Sequence, residues 1–183
     1  EVSERLMRFS LTRLRPILMG HTLDMDSTIL CRYGEQEGSL KGYNPNKPGR
    51  PSHHPLVAFL DEGRRVLWAT LRGGNSGSAN GCVEFLKQAL TVLPDGQRIG
   101  LVRADSGFFE KRLLEHLESQ DLPYIIVARL THIVRKLVVH RIPATSWRAV
   151  ARGIEVADLE VSLPNWKTVK RRFVCLRQEI AER

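Results

Sequence analysis

The 183-residue sequence has few cysteines, no long apolar run and fewer acidic than basic residues. Its three cysteines are widely spaced without a Cys-x-x-Cys pair, which argues against a disulfide framework and a structural zinc site. No apolar run is long enough to cross a bilayer, and the chain does not start like a secretory signal. We therefore expect a cytoplasmic protein that has no membrane partner.

The deficit of acidic residues gives the chain a strong positive charge. It contains 28 Lys and Arg against 20 Asp and Glu, a net charge of +8. Such an excess favours a polyanionic partner, because Lys and Arg displace counterions from phosphates. A hydrophobic content of 42% indicates a globular chain with a buried core rather than a disordered one.

Residues 22–30 alternate apolar and polar side chains, the pattern of a strand whose two faces meet different surroundings. Asp24 and Asp26 then point to the same side. Asp is disfavoured in strands, so a pair of them suggests a bound cation or a role in proton transfer. The alternative is a strand end whose acids face water.

The other patterns predict an α/β chain. After a lead-in helix in residues 1–20, we expect a core over residues 21–145 and the start of a β-rich insertion over residues 146–183. Residues 123–128 are continuously apolar, as in a strand that is covered on both faces. The further expected strands are residues 56–60, 64–71, 98–104, 154–163 and 166–177, and the expected helices are residues 79–93, 108–120 and 132–141.

Residues 31–55 form a long connection rich in Gly, Asn, Pro and charge, and we expect it to be irregular. Such connections are usually functional or mobile. Lys41, Lys47 and Arg50 lie near Tyr43, a mixture that suits a phosphate backbone or an unpaired base. The alternative is a solvated loop.

The core order of three strands, helix, strand, helix, strand is that of the ribonuclease H-like (RNase H-like) fold, an α/β domain with a mixed sheet. Its first and fourth strands are neighbours, so Asp26 and Asp105 can meet across the sheet. Strand ends of this kind are where α/β sheets place their sites. Asp24 is the alternate first acid, and Asp105 is also well placed to cap the following helix.

Two neighbouring carboxylates repel each other unless a cation or a proton lies between them. Their oxygens favour Mg²⁺ or Mn²⁺. A pair of such ions about 3.5–4 Å apart can activate a water or a 3′-hydroxyl for in-line phosphodiester displacement. This metal-assisted chemistry is the function that Asp26 and Asp105 predict.

Two other functions fit parts of the sequence. Asp24-x-Asp26-x-Thr28 matches the opening motif of haloacid-dehalogenase-type phosphatases, whose first Asp is a nucleophile. That fold needs an apolar strand before the motif, where this chain has Gly20-His21-Thr22, and a later acid pair, which we do not find. A non-catalytic protein that holds DNA by charge alone is the other alternative.

Four motifs in order resemble the DDE transposases of bacterial insertion sequences, in particular the branch with a β-strand insertion before the last catalytic residue. The likeness runs from about residue 23 to residue 129. It rests on Leu-Asp-Met-Asp-Ser-Thr (residues 23–28), the Gln-Glu-Gly-Ser-Leu-Lys-Gly-Tyr-Asn-Pro stretch continuing to His-His-Pro-Leu (36–56), Leu-Arg-Gly-Gly-Asn (71–75) and Val-Arg-Ala-Asp-Ser-Gly-Phe (102–108).

The resemblance implies a cut-and-paste enzyme of DNA recombination that moves a mobile element. It would use an RNase H-like core, two Mg²⁺ or Mn²⁺ ions, terminal-repeat and target DNA as partners, and a homodimer in a synaptic complex. We expect it near the bacterial nucleoid. The family's first two acids correspond to Asp26 and Asp105. Its third acid, a Glu, has no match, because Glu179 and Glu182 lack the family's context, so we expect this chain to be a truncated and inactive fragment.

The resemblance also implies DNA contacts around the site. Residues 41–54 would lie near it and touch the DNA flanks. The adjacent His53 and His54 lack a third ligand at zinc spacing, which argues against a metal site there. The predicted DNA-contacting residues are Lys41, Tyr43, Lys47, Arg50, His53, His54, Arg72, Asn75, Arg103 and Arg129.

Overall fold

The computed structural model describes residues 2–12, 14–166 and 169–179. The chain forms two compact units, Glu1–Val127 and Ala128–Arg183. The three-part division at residues 20 and 145 stays a prediction. In the described part of the chain, no helix is long and apolar enough to span a membrane.

The first unit contains eight strands, three α-helices and a 3₁₀ turn over Ser106–Phe108 among its described residues. Two sheets share the strands. The helices are α1 (Val2–Leu11), α2 (Cys82–Thr91) and α3 (Lys111–Ser119). The strands are β1 (His21–Ser27), β2 (Leu30–Cys31), β3 (Leu40–Lys41), β4 (Pro51–His53), β5 (Leu56–Leu60), β6 (Arg65–Thr70), β7 (Ile99–Ala104) and β8 (Tyr124–Ile126).

The main sheet has the order β6-β5-β1-β7-β8. β6, β5 and β1 are antiparallel neighbours, whereas β1, β7 and β8 run parallel. The parallel step from β7 to β8 passes through α3, as a parallel crossover requires. This mixed sheet confirms the predicted RNase H-like order, including the contact between the first long strand and the fourth.

The hydrophobic core of the first unit explains why β1 exposes its acids. Leu23 and Met25 are buried in one cluster with Leu86 of α2 and Leu117 of α3. Side chains alternate along a strand, so Asp24 and the other even-numbered residues of β1 point to the opposite face. The apolar half of the pattern therefore fixes the orientation of the acidic half.

The connection between β1 and β5 is more ordered than we predicted from its composition. β2, β4 and β3 pair there as a small antiparallel sheet, so the expectation of an irregular segment is wrong for these residues. The loop after β6 packs on this sheet, since Gly74 N–H donates to Ser52 O at 2.8 Å. A methyl group on Gly74 would lie 2.4 Å from Leu40 O, so only glycine fits.

We expect Gly74→Ala to destabilise the protein by about 2 kcal/mol or more, because rigid backbone atoms occupy the space of the new methyl group. Gly77→Ala is the matched control, since the closest atom to its added methyl group is 3.8 Å away. Its effect should stay within about 0.5 kcal/mol. Urea unfolding of both variants checks this, and equal stability would contradict the close approach.

Three predicted helices are shorter than their sequence patterns. α2 spans Cys82–Thr91 within the predicted range 79–93. α1 ends at Leu11, well before Pro16. The predicted helix over residues 108–120 begins only at Lys111, because the chain first forms the 3₁₀ turn. Glu110 caps α3 by accepting a hydrogen bond from Leu113 N–H, which fixes this start.

β8 is not covered on both faces as its apolar run predicted. Ile125 is 61% exposed and the following Val127 is 59% exposed. Ile125 pairs with Arg103 of β7, which pairs with Asp24 of β1, so it lies on the acidic face of the sheet. The helices pack on the other face, which leaves this side of β8 open within the described residues.

The second unit is β-rich, as the change of sequence pattern indicated. It contains α4 (His132–Arg141), which matches the predicted helix, and a three-stranded antiparallel sheet. Residues 167–168 lie outside the described residues. The predicted strand 166–177 is observed from Arg171 onward, after a 3₁₀ turn over Pro164–Trp166. The strands are β9 (Arg148–Ala151), β10 (Ile154–Val161) and β11 (Arg171–Gln178).

Candidate active site

Asp26 and Asp105 lie at the ends of neighbouring parallel strands. The last paired residues of β1 and β7 are Met25 and Ala104, and the two acids are the residues that follow them. Neighbouring strands are about 4.8 Å apart, so the two backbones hold the acids side by side. Both side chains are exposed to solvent. The structure thus brings together the two residues that the strand order predicted to meet.

Asp105 also caps the turn that follows it. Its Oδ1 accepts a hydrogen bond from Gly107 N–H at 2.9 Å. The alternative role that we derived from local sequence, a cap, is therefore present, although the capped element is a 3₁₀ turn. Capping uses one carboxylate oxygen, and it fixes the carboxylate at the sheet edge beside Asp26.

Asp24 is engaged by an arginine. Arg103 Nε and Nη2 donate to its two carboxylate oxygens, each at 2.6 Å. Arg103 also pairs with Asp61 at 3.0 Å, and the bonds to Asp24 and then the nearby charges raise the pKa of Arg103. Asp26 has no ion pair of this kind within the described residues. The geometry therefore favours Asp26 over Asp24 as a metal ligand.

Ser27 connects the first acid to a buried histidine. Its N–H donates to Asp26 Oδ1 at 2.7 Å, and its Oγ lies 3.1 Å from His54 Nε2. Ser27 Oγ is also 2.7 Å from Ser78 Oγ. We did not identify Ser27 or Ser78 from the sequence, because serines in a strand and a loop carry no spacing signal for this contact.

A basic and aromatic cluster lies on the connection between β1 and β5. Lys47 Nζ is 4.9 Å from the ring centre of Tyr33, and the guanidinium carbon of Arg50 is 4.7 Å from it. Tyr33 is 58% exposed, and Tyr43 is 80% exposed. Lys41 is exposed as well. Tyr33, Lys47 and Arg50 form the Tyr33 cluster. We predicted Lys47 and Arg50 as DNA-contacting residues from the sequence, but not Tyr33.

Other predicted DNA-contacting residues already have partners inside the protein. His53 is buried, with Nδ1 accepting from Arg32 Nε at 3.0 Å. Arg72 donates to the carbonyl oxygens of His54, Gly77 and Asn80, and burial lowers its pKa. Their DNA contacts stay predictions, as do those of the exposed Asn75 and Arg129.

The thiols differ in accessibility. Cys82 is buried, and burial raises its pKa to about 11. Cys31 is half-buried and accepts from Asn44 Nδ2 at 3.1 Å.

At pH 8 we expect iodoacetamide to modify Cys31 at least about tenfold faster than Cys82, because the thiolate is the reactive form. Mass spectrometry of timed digests checks this, and equal rates would contradict the burial of Cys82.

A comparison with protein families assigns the chain. The family described as transposase DDE domain group 1 matches residues 15–183. The chain belongs to this DDE transposase family. Members of the family generally use divalent metal ions. A comparison with curated proteins found no match.

Solved structures similar to this DDE transposase domain include two transposase complexes and a viral intasome. A piggyBac transposase synaptic complex with hairpin DNA shares 15% identity at a TM-score of 0.49, covering 92% of this chain and 34% of that one. The Mos1 mariner paired-end complex with Mn shares 13% identity at a TM-score of 0.40, covering 67% of this chain and 40% of that one. A simian T-cell lymphotropic virus intasome shares 12% identity at a TM-score of 0.42, covering 92% of this chain and 85% of that one. The chain thus spans about a third of the piggyBac transposase.

The third acid that the resemblance implies has no candidate with Asp26 and Asp105 in the part of the chain that the structure describes. Among the described residues, no group of three His, Cys, Asp or Glu side chains is arranged to hold a metal ion. Glu179 is exposed, and its backbone N–H donates to Gly153 O. Glu182 lies outside the described residues. The assignment to the bacterial insertion-sequence branch stays a prediction.

Proposed function

We propose that this DDE transposase domain supplies two of the three metal-binding acids of a DNA-cutting site, Asp26 and Asp105. The single observation that supports this is the register of β1 and β7, which holds the two exposed acids side by side. Two adjacent carboxylates without a cation between them repel, so the pair suits a divalent ion. Their oxygen atoms are the ligands that Mg²⁺ and Mn²⁺ prefer.

Asp26 and Asp105 would hold a pair of such ions, which would activate a water or a 3′-hydroxyl and stabilise the leaving oxygen of a phosphodiester. The protein's part is to hold the acids in place and to keep competing charges away. Asp105 is fixed by its bond from Gly107 N–H, and Asp24 is neutralised by Arg103. Only one acid of β1 is thereby left to bind the ions.

DNA is the proposed partner. Lys47 and Arg50 offer positive charge beside Tyr33, and the exposed ring of Tyr43 offers a face on which a base can stack. The net charge of +8 strengthens attraction to phosphates. We propose that the DNA comprises the terminal repeats of a mobile element and its target, held by a homodimer in a synaptic complex.

A plasmid-nicking assay tests this proposal. We expect the 183-residue chain alone to bind DNA without cutting it, since the described residues offer no third acid beside Asp26 and Asp105. The same chain, continued by a helix that carries a third acid, should nick plasmid DNA in Mn²⁺. The proposal is contradicted if the continued protein folds and binds DNA but does not nick it in Mn²⁺.

A non-catalytic DNA-binding protein is the second candidate, and the absence of a third acid from the described site favours it. The phosphatase alternative is not supported, because its nucleophile would be Asp24, which is held by Arg103. Binding without nicking by both forms of the protein would favour the non-catalytic function. Release of phosphate from a simple phosphomonoester would revive the phosphatase.

A further inference from the structure

A chain of hydrogen bonds runs from a buried histidine to the strand end that carries Asp26. His54 is only 8% exposed, and its Nδ1 contacts Ser76 O. A carbonyl oxygen only accepts, so Nδ1 carries the proton and donates. In the neutral ring Nε2 is then the acceptor, and Ser27 Oγ–H donates to it at 3.1 Å. The side chain of His54 therefore ties the loop after β6 to the end of β1.

The last residue of this chain of bonds, Ser78, packs against the turn that carries Asp105. Ser78 Oγ lies 2.7 Å from Ser27 Oγ. Ser78 also packs on Gly107, where an added Cβ would lie 2.8 Å from Ser78 Oγ and 3.0 Å from Asp105 Oδ1. Gly107 N–H in turn donates to that Oδ1. Ser78 thus fills the space between the end of β1 and the Asp105 turn.

The backbone around this chain of bonds is itself anchored. Arg72 Nε donates to His54 O at 3.0 Å, and Arg72 Nη1 donates to Gly77 O at 3.0 Å. His54 N–H donates to Arg72 O at 2.8 Å. One arginine therefore fixes both the histidine and the residue before Ser78, so the two side chains are held in place before any ligand binds.

We propose that His54 and Ser78 are positioning residues that set the separation of the Asp26 and Asp105 carboxylates. Ser27, which both residues help to orient, donates its N–H to Asp26 Oδ1. Gly107, against which Ser78 packs, donates its N–H to Asp105 Oδ1. Neither His54 nor Ser78 is proposed as a ligand of the ions. The inference rests on the proposed function, because ion binding is what gives the separation a purpose.

The test measures the affinity of the 183-residue chain for Mn²⁺, from the electron paramagnetic resonance signal of the free ion. His54→Asn keeps a donor for Ser76 O but is too short to reach Ser27, and Ser78→Ala removes the other hydroxyl. We expect each variant to bind Mn²⁺ about tenfold more weakly, as for other residues that orient metal ligands. The loss of Mn²⁺ affinity in the double variant should be smaller than the product of the two single losses, since both residues act on Ser27.

Two further variants separate positioning from a general loss of structure. Ser76→Ala is the control, because Ser76 contributes its backbone carbonyl and should bind Mn²⁺ like the unchanged chain. His54→Gln reaches Ser27 again with its amide and should restore most of the affinity. A thermal midpoint is recorded for every variant. The proposal is overturned if the Mn²⁺ affinity of the variants falls in step with their thermal midpoints and His54→Gln does not restore it.

The outcome distinguishes this inference from the proposed function. If the unchanged chain binds Mn²⁺ and Asp26→Asn abolishes binding, while His54→Asn and Ser78→Ala bind normally, the positioning role is wrong and the metal site stands. If Asp26→Asn binds Mn²⁺ as tightly as the unchanged chain, both are wrong. Weaker binding by both variants with rescue by His54→Gln supports the positioning role.

Discussion

Replacing Asp26 by Asn is expected to lower Mn²⁺-dependent nicking of plasmid DNA about a thousandfold, in the protein that is continued by a helix carrying a third acid. Loss of a metal ligand removes several kcal/mol of transition-state stabilisation, and each ~1.4 kcal/mol is a tenfold change in rate. Asp105→Asn should have an effect of the same size, because the register of β1 and β7 places both acids at one site. Binding of DNA should be unchanged in both variants.

Two control substitutions make this test specific. Asp95→Asn changes an exposed acid in the turn after α2 and should leave nicking unchanged. Asp24→Asn breaks the pair with Arg103 and should cost far less than Asp26→Asn. A loss after Asp24→Asn that equals the loss after Asp26→Asn would show that we assigned the wrong acid of β1.

Reversing the charge of Lys47 and Arg50 together, each to Glu, is expected to weaken DNA binding about 30-fold at physiological salt and to lower the salt slope by about two. The two cations lie 4.9 and 4.7 Å from the ring centre of the exposed Tyr33, and the proposed function places DNA phosphates there. Fluorescence anisotropy over a salt series measures the affinity and the slope.

The matched control reverses Arg5 and Lys87, two exposed cations on α1 and α2. It makes the same change in net charge away from the Tyr33 cluster. If the loss of DNA binding depends only on net charge, the two double variants will bind DNA with equal affinity. The Tyr33 cluster is then not the DNA contact. A loss confined to the Lys47 and Arg50 variant supports the contact.

The sequence predicted the main sheet because its strands carry strong local patterns. The alternation of Leu23 and Met25 with the acids gave both the strand and the face that each residue occupies. The meeting of Asp26 and Asp105 then followed from strand order. These features depend on the alternation of side chains and on the order of the elements, which a single sequence shows.

Contacts between distant stretches were not readable in this way. The small sheet of β2, β4 and β3 has strands of two or three residues, too short to show alternation. The pair of Asp24 with Arg103 and the bond of Ser27 to His54 join residues far apart in the chain. The exposure of Ile125 depends on which face the helices cover, which an apolar run alone does not reveal.

The most direct test of the account is the location of bound Mn²⁺ on the 183-residue chain, from paramagnetic broadening of its amide resonances. We predict broadening centred on the amides around Asp26 and Asp105, and its loss in Asp26→Asn. Broadening centred elsewhere, or unchanged in Asp26→Asn, would contradict a shared metal site at the ends of β1 and β7.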